Sequence, residues 1–159
     1  MKHYWIYEYH IGAIGIAEAD GNITHIFLTD SQGKDIPKGY QKGETPLIQK
    51  AHIQMTEYLT GERKEFDLPL EFFGTDFQKK VWAALLTIPY GETRSYGEIA
   101  KQIGNPKACR AVGMANNRNP IAIICPCHRV IGSDGSLVGY GGGIPRKEFL
   151  LELECTHIQ

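Results

Sequence analysis

The residues with the clearest chemical potential lie in Ile121–Ile131, which reads IAIICPCHRVI. An apolar run ends there in Pro126-Cys127-His128-Arg129. An imidazole within reach of a thiol can take its proton, and the resulting thiolate is a strong nucleophile. Adjacent residues can also point apart, leaving both structural. A third reading makes Cys125, Cys127 and His128 metal ligands, but zinc sites usually need a second well-spaced pair. Cys109, Cys155 and His157 form no such pair. The four cysteines do not suggest a disulfide framework, and Cys125, two positions before Cys127, is expected to be a buried small hydrophobe.

The elements that must position this segment are readable by period and punctuation. Residues 4–9, 11–19 and 23–29 read as three strands, the last following the Asp20-Gly21-Asn22 turn. Residues 31–46, with Gly33, Pro37, Gly39, Gly43 and Pro46, read as loop, and Leu47–Leu59 has helical apolar spacing ended by Gly61. Residues 62–73 allow a short extended piece. From Gly74 onward the pattern becomes helical. Thr75-x-x-Gln78 and Ser95-x-x-Glu98 are capping boxes that open two helices, the second running through about Ile103. Gly104-Asn105-Pro106 breaks the chain before a third helix over about 107–117. Helix, short Gly-containing turn and helix outline a helix-turn-helix. The expected fold is α+β: a small N-terminal α/β domain with a three-stranded sheet (1–73), then a mostly helical C-terminal domain (74–159). Trp82 and Phe77 are expected in or near the core, and His3, His10, His25 and His52 in solvent.

With 159 residues, 42% hydrophobic and 22% charged, the composition is that of a globular protein. No apolar run reaches membrane-span length, and the start MKHYWIYEYHIG lacks a signal-peptide plan, so a cytoplasmic location is expected. The formal net charge is −1, yet residues 101–147 carry seven Lys/Arg (Lys101, Lys107, Arg110, Arg118, Arg129, Arg146, Lys147) against Asp134 alone. Such a block suits a confined phosphate-binding face. The third helix, KACRAVGMANNRN, is built from small residues around Arg110, which lets its backbone approach a groove or a neighbouring helix closely.

Four segments occur in order: GNPKACRAVG (104–113), NRNP (117–120), PCHRV (126–130) and GYGGG (139–143). Together they resemble the O6-alkylguanine-DNA alkyltransferase family, over roughly Gly74 to Glu154. The resemblance implies direct, irreversible, single-turnover transfer of a methyl or larger alkyl group from O6 of guanine, and also O4 of thymine, in flipped-out bases of duplex DNA. Cys127 is then the acceptor, His128 helps deprotonate it, and Glu154 holds the His. Asn119 fixes the turn beneath the site, and Tyr96 donates a proton toward N3 of the leaving guanine. Arg110 fills the gap left by the extruded base, on a minor-groove helix that includes Lys107, Ala108, Ala111 and Arg118. Tyr140 lines the base pocket, and the backbone at Cys127, Val130 and Gly141 reads the guanine edge. Certain relatives carry a bulkier side chain at position 141, so the resemblance implies a wider pocket with Gly141. No cofactor or metal is implied; the partner is alkylated double-stranded DNA, met by a monomer. The alternatives are a non-catalytic helix-turn-helix protein that binds alkylated DNA and a cysteine hydrolase using Cys127, His128 and Glu154.

Overall fold

The structure is a computed structural model that describes residues 1–29 and 35–158. Its contacts divide into two compact units, one of Met1–Phe72 with Pro120–Ala122 and one of Phe73–Asn119 with Ile123–Gln159.

In the first unit, β1 (Lys2–Tyr9), β2 (Gly12–Ala19) and β3 (Asn22–Thr29) form an antiparallel meander. Asp20 and Gly21 both take positive φ (52° and 83°), as a two-residue hairpin turn requires if its twist is to match the strands. The sheet order is β3-β2-β1-β4, because Gln41–Lys42 (β4) adds parallel to β1. The expected three strands are thus four. The added strand falls inside the segment read as loop, of which residues 31–34 lie outside the described residues. A two-residue strand is too short to show a period of two. Central β2 supplies the buried Ile14 and Ile16 on the face that α1 (Pro46–Leu59) covers with Ile48, Ala51 and Met55. Pro120–Ala122 lie beside β3, with Ile26 N donating to the Pro120 carbonyl (3.0 Å) and Ala122 N to the Ile26 carbonyl (3.0 Å). His52 departs from its expected solvation: its ring stacks on Tyr7, with centroids 3.8 Å apart, and Nδ1 lies 2.6 Å from the Tyr9 hydroxyl. His25 is half-buried and bonded to Thr24.

The second unit holds α2 (Asp76–Leu85), β5 (Arg94–Ser95), α3 (Tyr96–Gln102), α4 (Cys109–Asn117), a 3₁₀ turn (Cys127–Arg129), β6 (Val130–Ile131) and α5 (Ile144–Thr156). Strands β5 and β6 pair in parallel. Both expected capping boxes are formed: Thr75 with Gln78, and Ser95 with Glu98. Helix α4 starts two residues later than expected, at Cys109, with Ala108 at the N-cap and no side chain capping it. The turn between α3 and α4 needs Gly104, whose φ is +82°. The core is Val81, Trp82, Leu85, Ile88, Ile99, Val112 and Leu150. Trp82 spans it and donates from Nε1 to the Ala115 carbonyl (2.9 Å), which fixes α4 on α2. Phe77 is only half-buried.

The Thr75 hydroxyl and the Gln78 side chain satisfy two orphan amides at the start of α2. Thr75→Ala is therefore expected to lower unfolding free energy by about 1 kcal/mol in urea titration, with an unchanged denaturant slope.

Candidate active site

Cys127 is placed by two local devices. Pro126 has φ −81° and ψ 66°, and the Cys127 amide donates back to the Cys125 carbonyl (2.8 Å). This is an inverse γ-turn, and it delivers Cys127 to the first position of the 3₁₀ turn. Four residues earlier, Ile123 takes φ +71°, a left-handed conformation that costs a β-branched residue on the order of 1–3 kcal/mol. The tertiary structure over-determines this segment. Asn119 Nδ2 donates to the Cys125 carbonyl (2.8 Å), Asn116 Nδ2 to the Cys127 carbonyl (3.3 Å), and Cys125 Sγ to the Trp82 carbonyl (3.5 Å). Cys125 is fully buried, as a small hydrophobe would be.

Behind the turn stands a buried charge network. Glu154, 1% exposed on α5, accepts from His128 Nε2 (2.7 Å), Arg129 Nε (2.8 Å), Arg129 Nη2 (2.9 Å) and the Gly91 amide (3.2 Å). Arg129 Nη1 donates to the Ile88 carbonyl (2.6 Å), and its guanidinium lies 5.6 Å from the centre of the Tyr90 ring. Burial alone would raise the Glu154 carboxyl, but His128 and Arg129 outweigh it and hold it down at about 2. Burial lowers His128 against the pull of Glu154, so the imidazole is neutral. Burial raises the Cys127 thiol. Asn119, the Lys147 charge and the amides of Cys127 and His128 act in the opposite direction.

Lys147, also on α5, is fully buried and donates to the carbonyls of Val130 (2.5 Å) and Val138 (3.0 Å). It clamps β6 to the loop that carries Tyr140. The Tyr96 hydroxyl donates to the same Val138 carbonyl (2.9 Å). Tyr140 is buried, and its hydroxyl finds no partner among the described residues. A Cβ built on Gly141 would meet only the Asn117 carbonyl, at an ordinary 3.6 Å, so the backbone there does not require glycine.

Cys127, His128, Glu154, Asn119, Tyr96 and Val130 are therefore tied to one another through this network, and Tyr140 is carried by the loop that Lys147 and Tyr96 hold at Val138. Lys107, Arg110, Ala111 and Arg118 lie apart from it, on the outer side of the α4 segment. They are exposed with Met114 and Asn117, while Val112, Ala115 and Asn116 face inward and Ala108 is half-buried. The outer face thus combines small side chains, one Met and two arginines, at helical spacing.

The basic block needs correction. Arg129 (7% exposed) and Lys147 (0%) are interior, each spent on a carboxylate or on backbone carbonyls, so neither belongs to a phosphate-binding surface. Sequence reading also missed Asn116. Its signal was its place one helical turn from Val112 on the inward face. Among the described residues no group of three His, Cys, Asp or Glu side chains is placed to hold a metal ion, and no helix is long and apolar enough to cross a membrane.

Comparison with known proteins matches two family models end to end. Residues 2–72 match the 6-O-methylguanine DNA methyltransferase ribonuclease-like domain, and 76–156 match the DNA binding domain of the same name. The methylated-DNA–protein-cysteine methyltransferase of Methanosarcina acetivorans is 52% identical over 96% of this chain and 97% of its own. That of Mycobacterium bovis is 52% identical over 97% and 93%. The crystal structure of Mycobacterium tuberculosis O6-methylguanine methyltransferase superposes with a TM-score of 0.88 at 49% identity, covering 99% of this chain and 94% of that one. The M. tuberculosis protein OGT in complex with DNA gives a TM-score of 0.90 at 50% identity, over 98% and 94%. Both halves of the sequence and the whole fold therefore agree, and the chain belongs to the 6-O-methylguanine DNA methyltransferase family.

Proposed function

We propose that the protein repairs DNA by moving an alkyl group from O6 of guanine, and from O4 of thymine, onto the sulfur of Cys127. The observation that carries this reading is the 2.7 Å hydrogen bond between two buried groups, the imidazole of His128, next in sequence to the acceptor cysteine, and the carboxylate of Glu154; burial favours the neutral imidazole, and its partners hold the carboxylate ionised. These are the protonation states a base needs: the imidazole can accept a proton, and the carboxylate stabilises the cation that forms.

The target carbon is inaccessible inside a duplex, so the base must leave the stack, at a cost of roughly a few kcal/mol. The exposed face of α4 suits this task. Its small residues permit close approach to the minor groove, Lys107 and Arg118 meet phosphates, and Arg110 occupies the vacated position. The extruded base then lies against Tyr140, its edge read by the backbone at Cys127, Val130 and Gly141.

In the transfer itself, the thiol proton passes to His128. Sulfur attacks the alkyl carbon in line, the S–C bond forms, and the O6–C bond breaks with its electron pair going to guanine. Tyr96 protonates the departing base; afterwards His128 releases its proton to solvent and the phenolate takes one up, so the proton lost by the thiol is balanced by the one gained by guanine. The thioether product has no easy hydrolytic exit, and each molecule acts once. The reading is of a monomer working in the cytoplasm on alkylated double-stranded DNA. A hydrolase leaves Arg110 and the exposed face of α4 without a task, and a mere binding protein has no use for the acceptor thiol of Cys127.

Incubation with a duplex containing O6-methylguanine is expected to add one methyl group to the peptide holding Cys127, and none in Cys127→Ser; a methyl elsewhere, or none, refutes the acceptor assignment. Arg110→Ala is expected to slow duplex repair by roughly tenfold or more while changing reaction with the free base by about twofold at most; equal losses on both substrates remove its role in base extrusion. The buried network also sets acid sensitivity. Glu154 has a depressed folded pKa, so its contribution is complete above about 4.5 and is lost as pH falls toward 2. His128 is held neutral, so the unfolded chain gains protons first as pH drops through about 6.5. Both effects lower stability in acid. Glu154→Gln should cost about 3–5 kcal/mol at pH 7 and flatten the dependence between pH 4.5 and 2, as read from urea midpoints across pH.

A further inference from the structure

Asn116 is a buried polar side chain to which neither the acceptor chemistry nor base extrusion gives a task. It is 1% exposed and lies on the inward side of α4, opposite the Arg110 face. Its amide nitrogen carries two hydrogens and meets two oxygens. One is the Cys127 carbonyl, at 3.3 Å. The other is the Tyr96 hydroxyl, whose acidity the Asn116 hydrogen bond increases against the effect of burial. Two acceptors on one side fix the orientation of the amide, since turning it over would set oxygen against oxygen. The consequence is that Asn116 Oδ1, also buried, finds no donor among the described residues. A buried acceptor left in that state calls for a functional reason.

We propose that Asn116 is a positioning residue for alkyl transfer: from the recognition helix it holds the Tyr96 hydroxyl and the Cys127 carbonyl in register, so that one extruded base meets both. This rests on the assignment of Cys127 as acceptor and Tyr96 as proton donor. Tyr96 is poised for the movement this requires. Its proton points at the Val138 carbonyl, and Lys147 already donates to that carbonyl. When the phenol turns its proton toward N3 of the base, Val138 therefore remains bonded, and Asn116 keeps the phenol oxygen in place. As sulfur bonds to the alkyl carbon and the O6–C bond opens, the proton moves from Tyr96 to N3, and the Asn116 N–H stabilises the phenolate left behind. Because Asn116 stands on the same helix as Arg110, a shift of α4 on DNA also moves the Tyr96–Cys127 pair.

The test compares single-turnover methyl transfer by wild type and Asn116→Ala on duplexes carrying O6-methylguanine or O6-methyl-3-deazaguanine, which lacks N3. Asn116→Leu, which keeps the volume, replaces Ala should the smaller side chain unfold the protein. The expected result is a loss of roughly tenfold or more on O6-methylguanine but of no more than about twofold on the 3-deaza substrate. Affinity for the methylated duplex and alkylation of Cys127 by iodoacetamide, mapped by peptide, should stay within about twofold. Parallel losses on both duplexes, or a matching loss in iodoacetamide reactivity, assign Asn116 a packing role and overturn the proposal; so does an unchanged rate on O6-methylguanine. Failure of wild type to transfer methyl at all is a separate outcome, which rejects the alkyltransferase reading on which the proposal stands.

Discussion

The buried carboxylate of Glu154 is the interaction on which the second unit depends. An ionised group away from water is tolerated only when its charge and its lone pairs are met, and four donors meet them here. Those donors come from the 3₁₀ turn and from the segment after α2, while the carboxylate comes from α5. One side chain thus binds three stretches of chain that are far apart in sequence. Arg129 supplies the compensating charge, which leaves His128 able to remain neutral while still bonded to an anion. A His–Glu pair without the arginine would draw the imidazole toward its charged form, and an imidazolium cannot take a proton.

The same economy of buried polar groups recurs around the acceptor. Asn116 and Asn119, three residues apart at the end of α4, hold the Cys127 and Cys125 carbonyls on either side of Pro126. Lys147 holds the Val130 carbonyl together with that of Val138. Three backbone oxygens of the acceptor segment are thus fixed by side chains from the α4 end and from α5. Such fixing is what sustains Ile123 in a left-handed conformation and Pro126 in a tight turn. It also means that the chain around the sulfur is set before any substrate arrives, so little reorganisation is required at the moment of reaction.

The segregation of roles on α4 follows from its period. Val112, Ala115 and Asn116 look inward, and Arg110, Ala111, Met114, Asn117 and Arg118 look outward. A nine-residue helix therefore carries a packing face, a polar face toward the acceptor and an exposed face suited to a groove. Trp82, through its bond to the Ala115 carbonyl, fixes the rotation of the helix about its axis and so decides which face is which.

Much of this was legible in the amino-acid order. Local rules determined the capping boxes at Thr75 and Ser95, the Asp20-Gly21 hairpin, the strand and helix periods and the Gly104 break, because each depends only on neighbours along the chain. Four short segments in order were enough to place the family, with Cys127, His128 and Glu154 among its matched positions. The pairing of β4, the ring contacts of His52 and the burial of Arg129 and Lys147 were not legible. A charged residue looks the same in sequence whether it faces water or a partner. Arg129 meets a carboxylate 25 positions away, and Lys147 meets a carbonyl 17 positions away. Only the tertiary structure brings those groups together, and only then does the protein's low interior dielectric turn three ordinary side chains into a network that sets the charge state of the site.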